Sequence, residues 1–170
     1  MPIDQYNDSF EHLVGTELPQ HMATLEQAMK KKILMSKFAI YGEGVAALTK
    51  QFDLTADFPG CYVLSENENP IYVGISKNVL QRLRQHVRGT THFNASLAYR
   101  IAAQNMPHDN TRAQAMQSNA FKAEFDRAKL YINNLNVAFV KIVNPLALYC
   151  FEPYCAMKFN TNVWNTFETH

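Results

Sequence analysis

No stretch of this 170-residue chain approaches the roughly 20 consecutive apolar residues that a membrane-spanning helix needs. The opening residues, Met-Pro-Ile-Asp-Gln, carry neither a basic n-region nor an apolar h-region, so no secretory signal is expected. Cysteine is scarce. Cys61, Cys150 and Cys155 are an odd number without CxxC spacing, which argues against a disulfide frame or a zinc knuckle. Reduced core thiols in a cytoplasmic protein are the expectation. Repeats and low-complexity tracts are missing as well. The net charge of +1 makes no overall case for a nucleic-acid partner. One local absence does more: between Glu68 and Asp109 there is no carboxylate, while Lys77, Arg82, Arg84, Arg88 and Arg100 all fall there. His86, His92 and His108 lie in the same stretch. Such locally unopposed positive charge attracts a phosphate backbone, although a solvated helix face that merely lacks acids would read the same way.

The length is that of one domain, enough to bury a single core. Residues 1 to about 56 read as helical, with a helix expected from Thr24 to Ala39 and a short one from Val45 to Phe52 after Gly42 and Gly44. Gly60–Leu64 and Ile71–Ile75 are β-prone and are separated by the turn formers Ser65–Pro70, which predicts a hairpin. Ser76 is a plausible N-cap for a helix from Lys77 to about Val87 that stops at Gly89. Two more helices are expected over 94–104 and 118–133, with a loop at His108–Thr111 between them. A third strand is expected over Asn136–Val143. Asn144-Pro145 then suits a helix N-terminus, and Pro153 implies either a kink or a start nearer Phe151. The sum is an α+β fold: a small three-stranded, mainly antiparallel sheet flanked by helices, with an N-terminal helical extension over 1–57 and the main domain over 58–170.

Two tyrosines ten residues apart hold matching places on the hairpin, in Gly60-Cys61-Tyr62 and Tyr72-Val73-Gly74. The following helix carries Arg82 and His86 on one face, four residues apart. The full pattern is Gly-x-Tyr, then Tyr-Val-Gly, then Ser-Lys-Asn-x-x-x-Arg-Leu-Arg-x-His, followed later by Glu152 and, thirteen residues on, Asn165. In this the chain resembles the GIY-YIG nuclease superfamily over about residues 58–170. The resemblance implies a metal-dependent DNA endonuclease, with restriction-type members among the nearest in pattern. It implies that Tyr62 is a general base or water-positioning group and that Tyr72 lines the same pocket. Arg82 would contact the scissile phosphate, Glu152 would hold a divalent metal, and Asn165 would order the site. His86 matches the histidine found one turn after the arginine in restriction-type members. Cys61 and Val73 replace isoleucine, which conserves strand packing. Ile75 stands where many members carry lysine, which puts any role of that lysine in doubt here, and Lys77 need not reach the same point.

The chemistry suits these residue types. Phosphodiester hydrolysis needs an activated water and neutralisation of charge on the phosphate oxygens. A divalent metal can polarise the phosphate, and one carboxylate with few other ligands suits Mg²⁺, with Mn²⁺ as a substitute. A guanidinium grips phosphate bidentately. A tyrosine base needs nearby positive charge to favour its phenolate, and whether Tyr62 or His86 takes the proton stays open. Glu124 rivals Glu152 for the metal, but Glu152 lies among Tyr149, Phe151, Tyr154 and Met157, where a bare carboxylate is costly to bury. Asn160 and Asn162 rival Asn165. The expected partner is double-stranded DNA, contacted by Lys77, Arg84, Arg88 and Arg100, and a restriction-type enzyme with one site per chain would act as a homodimer. Two other readings stand beside this one: a structure-selective repair or mobile-element nuclease, and a nucleic-acid-binding module that no longer cleaves.

Overall fold

The computed structural model describes residues 7, 9–31 and 33–167. The reading of the first five residues lies outside these. The described chain opens with a short α1 (Phe10–His12), capped by the Ser9 hydroxyl, and passes through a π-helical turn at Leu13–Glu17 into α2 (Leu18–Met29).

The helix expected from Thr24 to Ala39 ends at Met29. Residues Ile33–Leu34 form a short strand, β1, and Met35–Phe38 a 3₁₀ turn. Strong helix formers continue through this stretch, but the backbone is needed for sheet pairing, and tertiary context overrides propensity. The short helix α3 (Val45–Gln51) lies where it was expected.

The hairpin consists of β2 (Gly60–Glu66) and β3 (Asn69–Ser76). Its turn is tight because Asn67 adopts φ 56°, a conformation asparagine tolerates better than most residues. The register shifts next to Leu64/Ser65, so that Leu64 faces Tyr72 while Ser65 faces Pro70. Ser76 remains in the strand, and its hydroxyl accepts the Asn78 N–H at 3.0 Å. Helix α4 (Val79–Arg88) accordingly starts two residues later than predicted. Helix α5 (Ser96–Asn105) follows, then α6 (Arg112–Ala115) and α7 (Asn119–Asn133). Helix α6 falls where no helix is expected, and it starts from a capping box between Thr111 and Gln114. Strand β4 (Asn136–Lys141) pairs antiparallel with β2.

The sheet has four strands in the order β1-β4-β2-β3, one more than the three expected, and β1 is the addition. The last helix, α8 (Pro145–Phe159), starts at Pro145, with the Asn144 side chain accepting the N–H groups of Leu146 and Ala147. It continues through Pro153, so the later start near Phe151 is not adopted. Proline has no N–H to donate, and the Tyr149 carbonyl therefore lacks its usual helical partner.

The chain forms two compact units. The first takes the residues up to Ile33, Asp57–Val79 and those from Asn136 onward; the second takes Leu34–Ala56 and Leu80–Leu135. In the first unit one face of the sheet is buried under α2 and α8. Cys61, Val63, Val73, Ala138 and Val140 meet Leu18, Met22 and Leu25 of α2 and Leu148, Phe151 and Cys155 of α8. All three cysteines are free, and Cys61 and Cys155 are buried. In the second unit α5 packs on α7. Phe38 and Phe52 stack with centroids 5.6 Å apart.

Candidate active site

Alternation along the strands decides which side chains share a face. Cys61, Val63 and Val73 turn toward the α2–α8 core, so Tyr62, Leu64, Tyr72 and Gly74 turn the other way. Tyr62 pairs directly with Gly74 and Leu64 with Tyr72. The two motif tyrosines are thus diagonal neighbours on one face, with ring centroids 6.2 Å apart and planes inclined by 52°. Tyr62 is 1% exposed, and Tyr72 is half-buried.

Both motif glycines have a steric reason. A Cβ on Gly74 would fall inside the Tyr62 ring, against Cζ and the hydroxyl oxygen. A Cβ on Gly60 would run into the backbone carbonyl of Val140 on β4. The first glycine lets the tyrosine ring lie flat across β3, and the second lets two central strands close up. Gly74→Ala is therefore expected to fold but to displace the Tyr62 hydroxyl. An expected loss of tenfold or more in turnover, with melting temperature lowered by only a few degrees, is checked by single-turnover cleavage and a thermal melt. Unchanged turnover would show that the placement of Tyr62 does not matter.

Asn165 reaches the same strand from its outer edge. Its side-chain oxygen accepts the Val73 N–H and its side-chain NH₂ donates to the Val73 carbonyl, each at 2.8 Å. The Thr161 hydroxyl donates to the same Asn165 oxygen at 2.9 Å, and Thr161 is 2% exposed. The chain gets there by a left-handed residue: Asn160, at φ 53°, ends α8 and turns the backbone back. Asn160 is thus a helix cap, and Asn165 is the asparagine that clamps the backbone between Tyr72 and Gly74. Thr161 was not singled out in the sequence, and no motif spacing marked it. Asn165→Ala leaves both polar groups of Val73 without this partner and should cost about 1–3 kcal/mol. That corresponds to a fall in melting temperature of roughly 2–4 °C per kcal/mol, read by calorimetry.

On α8, Glu152 is half-buried, and burial raises its carboxyl pKa above the ordinary range. Its charge is felt by the Cys61 thiol, whose own pKa is pushed well up, chiefly by burial. No ion pair or hydrogen bond engages the Glu152 carboxylate among the described residues. Glu124 differs. It accepts a hydrogen bond from Asn105 at 2.9 Å and pairs with Arg127, one turn along α7, at 2.6 Å. Of the two rivals, only Glu152 has a charge that a cation would offset. No three His, Cys, Asp or Glu side chains converge as a metal cluster among the described residues. An ion at Glu152 would keep most of its waters, which is the habit of Mg²⁺.

Helix α4 belongs to the second unit and carries Arg82 and His86. Arg82 donates from Nη1 to the Asn94 carbonyl at 2.8 Å and to Gln85 Oε1 at 3.2 Å, and from Nη2 to the Ser96 hydroxyl at 2.8 Å. That uses three of its five donors. Sequence spacing gave no sign of Asn94 and Ser96 as its partners. His86 is wholly buried, and desolvation, helped by the neighbouring Arg82 charge, lowers its pKa to about 3. Its imidazole is neutral at physiological pH. Arg84 donates to the Glu43 carbonyl, and Arg88 donates to that of Ala39 at 3.0 Å while lying over the Tyr41 ring. Both brace the segment before α3. Lys77 is exposed and Arg100 half-buried. Tyr62, Tyr72, Glu152 and Asn165 thus belong to the first unit, Arg82 and His86 to the second.

Residues 58–120 match the family model of the GIY-YIG catalytic domain. The matched range holds Tyr62, Tyr72, Arg82 and His86, while Glu152 and Asn165 lie beyond it. Among solved structures the chain is similar to the GIY-YIG N-terminal endonuclease domain of UvrC from Thermotoga maritima bound to its catalytic divalent cation, magnesium. There the identity is 16% and the TM-score 0.39, over 71% of this chain and 97% of that one. A point mutant of the same domain, bound to the catalytic divalent cation, gives 14% identity and a TM-score of 0.38 over the same shares. No curated protein matches the chain. The glycine and tyrosine motifs of the hairpin fall inside segment 58–120, which matches the GIY-YIG catalytic domain model.

Proposed function

We propose that the chain is a divalent-metal-dependent endonuclease that hydrolyses phosphodiester bonds in double-stranded DNA. Its catalytic domain would span residues 58–170, with 1–57 as an extension. The observation that carries this reading is the tyrosine face of the hairpin. Tyr62 is laid across the motif glycine Gly74 beside Tyr72, inside the segment that matches the family. Tyr62 would orient the attacking water and accept its proton, and Tyr72 would line the same face. The neutral His86 is a weak base in its buried state, which favours Tyr62 for the proton. Arg82 would bring its guanidinium charge to the scissile phosphate while it holds Asn94 and Ser96. Glu152 fits a Mg²⁺ ion, or Mn²⁺ in its place. When bound, the ion supplies charge stabilisation for the phosphate oxygens and the leaving group. Asn165 holds β3 in register beneath the tyrosines. Lys77, Arg84, Arg88 and Arg100 would supply positive charge for the DNA backbone.

Among nucleases, the restriction-type reading rests on the Arg82–His86 spacing. Such an enzyme would work in the cytoplasm as a homodimer, since one site per chain cuts one strand at a time. Plasmid nicking with and without Mg²⁺ tests the proposal. Metal-dependent conversion of supercoiled DNA to nicked or linear forms is expected. DNA binding with no cleavage under any divalent metal would instead mark a binding module, and preference for branched over linear duplex would mark a repair or mobile-element nuclease. Arg82→Ala should lower turnover about 10²–10³-fold, as the loss of one preorganised contact to transition-state charge does. It should also lower the melting temperature, because three hydrogen bonds to 85–96 go with it. Turnover at the wild-type level in a folded Arg82→Ala chain would remove Arg82 from the site.

A further inference from the structure

Beside Glu152 lies a small hollow that the reaction as described does not use. It measures about 180 Å³. That is below the roughly 300 Å³ at which pockets for drug-sized ligands begin, and it suits a single planar ring system better than an extended molecule. Pro59, Ile75, Val143, Pro145, Leu148 and Tyr149 line it, with Ser76 and Lys77. Val143 is 67% and Tyr149 65% exposed, so an apolar wall and an aromatic ring are both presented to solvent. The exposed Lys77 sits on the rim, and no carboxylate lines the hollow. Its position relative to the candidate metal carboxylate follows from helix geometry. Leu148 and Tyr149 precede Glu152 on α8 by four and three residues, which puts all three on one side of the helix within about a turn. Ile75, the residue at the place where many relatives carry lysine, pairs across the sheet with Cys61, whose thiol senses the Glu152 charge. What departs from the motif there makes an apolar wall next to the reacting centre.

We propose that this hollow takes one unstacked nucleobase of the substrate strand, next to the phosphate at Glu152. Tyr149 stacks on the base, Ile75, Leu148 and Val143 pack around it, and Lys77 meets the flanking phosphate. A base has a π-face whatever its identity, and a phosphate always accompanies it; an exposed tyrosine with one lysine at its side matches that pairing. The base must leave its stack to enter, so the hollow favours sites where pairing is weak, distorted or already open. The nuclease reading gives this contact its place in the reaction, but the binding itself needs neither metal nor cleavage.

The test is made on the full chain in EDTA, by titration calorimetry with thymidine 3′,5′-bisphosphate and with deoxyribose 3′,5′-bisphosphate, which lacks the base. The expected result is about tenfold tighter binding of the base-bearing probe, the scale of one base–aromatic stack. Tyr149→Ala should remove that preference while keeping the weaker phosphate term, and Lys77→Ala should weaken both probes alike. Equal affinity of the wild-type chain for both probes, no measurable binding of either, or a preference that survives Tyr149→Ala overturns the proposal. Sedimentation of the wild-type and Tyr149→Ala chains covers the other occupant. A dimer that Tyr149→Ala dissolves would make the hollow a contact between copies and also overturn it. Loss of nicking with the base preference intact would sink the nuclease reading and leave this one standing.

Discussion

Glu152→Gln is expected to abolish cleavage and, at neutral pH, to raise the melting temperature of the metal-free protein. The two effects have one cause. Burial holds the Glu152 carboxyl above its ordinary pKa of 4.5, so the folded state resists the charged form. A group whose folded pKa lies above its unfolded value contributes stability that is complete at low pH and disappears as pH rises through the folded value. At neutral pH the wild-type protein therefore bears the strain of an ionised, half-buried carboxylate, and the glutamine variant does not. The gap in stability between the two should open as pH is raised from 4.5 and then level off. Divalent metal should reverse the order. Wild type should gain thermal stability with added Mg²⁺, as a native-state ligand provides, and Glu152→Gln should gain none. Melting curves across pH and metal concentration, run beside a nicking assay, read all of this from two proteins. Full cleavage by Glu152→Gln would transfer the metal to another residue, with Glu124 next in line.

Tyr62→Phe should cut turnover by about 10²–10⁴-fold, the usual worth of a positioned acid–base group. The ring that fills the space above Gly74 is kept and only the hydroxyl goes. Stability should therefore change by no more than about 1–1.5 kcal/mol, the net worth of one hydrogen bond. Gly74→Ala moves the same hydroxyl without deleting it and should fall between wild type and Tyr62→Phe in turnover. An active Tyr62→Phe enzyme together with an inactive, folded His86→Gln enzyme would assign the proton to the imidazole. The pH profile adds a second reading. His86 has its folded pKa depressed below 6.5, so its contribution to stability is present above that pH and is lost as pH falls toward 3. His86→Gln should flatten the acid side of the stability curve whichever group is the base.

The hairpin, α4, α7 and β4 were legible because local signals agreed there: alternation, turn formers and caps pointed to the same elements. The stretch from Lys30 to Phe38 was not. Its composition favours helix throughout, and what ends the helix is pairing with a strand a hundred residues away, which no local window contains. Pro153 left two readings open, and the helix runs on through it, with Phe151 and Cys155 buried in the core on either side. For the proposed site, the motif register names Tyr62, Tyr72 and Arg82. It was silent on how they are held. The Asn94 carbonyl, Ser96 and Thr161 act through hydrogen bonds that depend on loop geometry, and loop geometry leaves little trace in residue type.

The asparagine clamp has a consequence for how copies of the chain can meet. A sheet ending in an open strand offers a row of free N–H and C=O groups on which a second chain can template itself. Asn165 occupies the Val73 pair in the middle of β3, and Pro70 removes a further donor from the same strand. The opposite margin is β1, only two residues long. Among the described residues both margins are thereby shortened, which disfavours zipping onto another molecule along a shared sheet. Deleting the segment that carries Asn165 would bare the β3 margin and invite edge-to-edge aggregation.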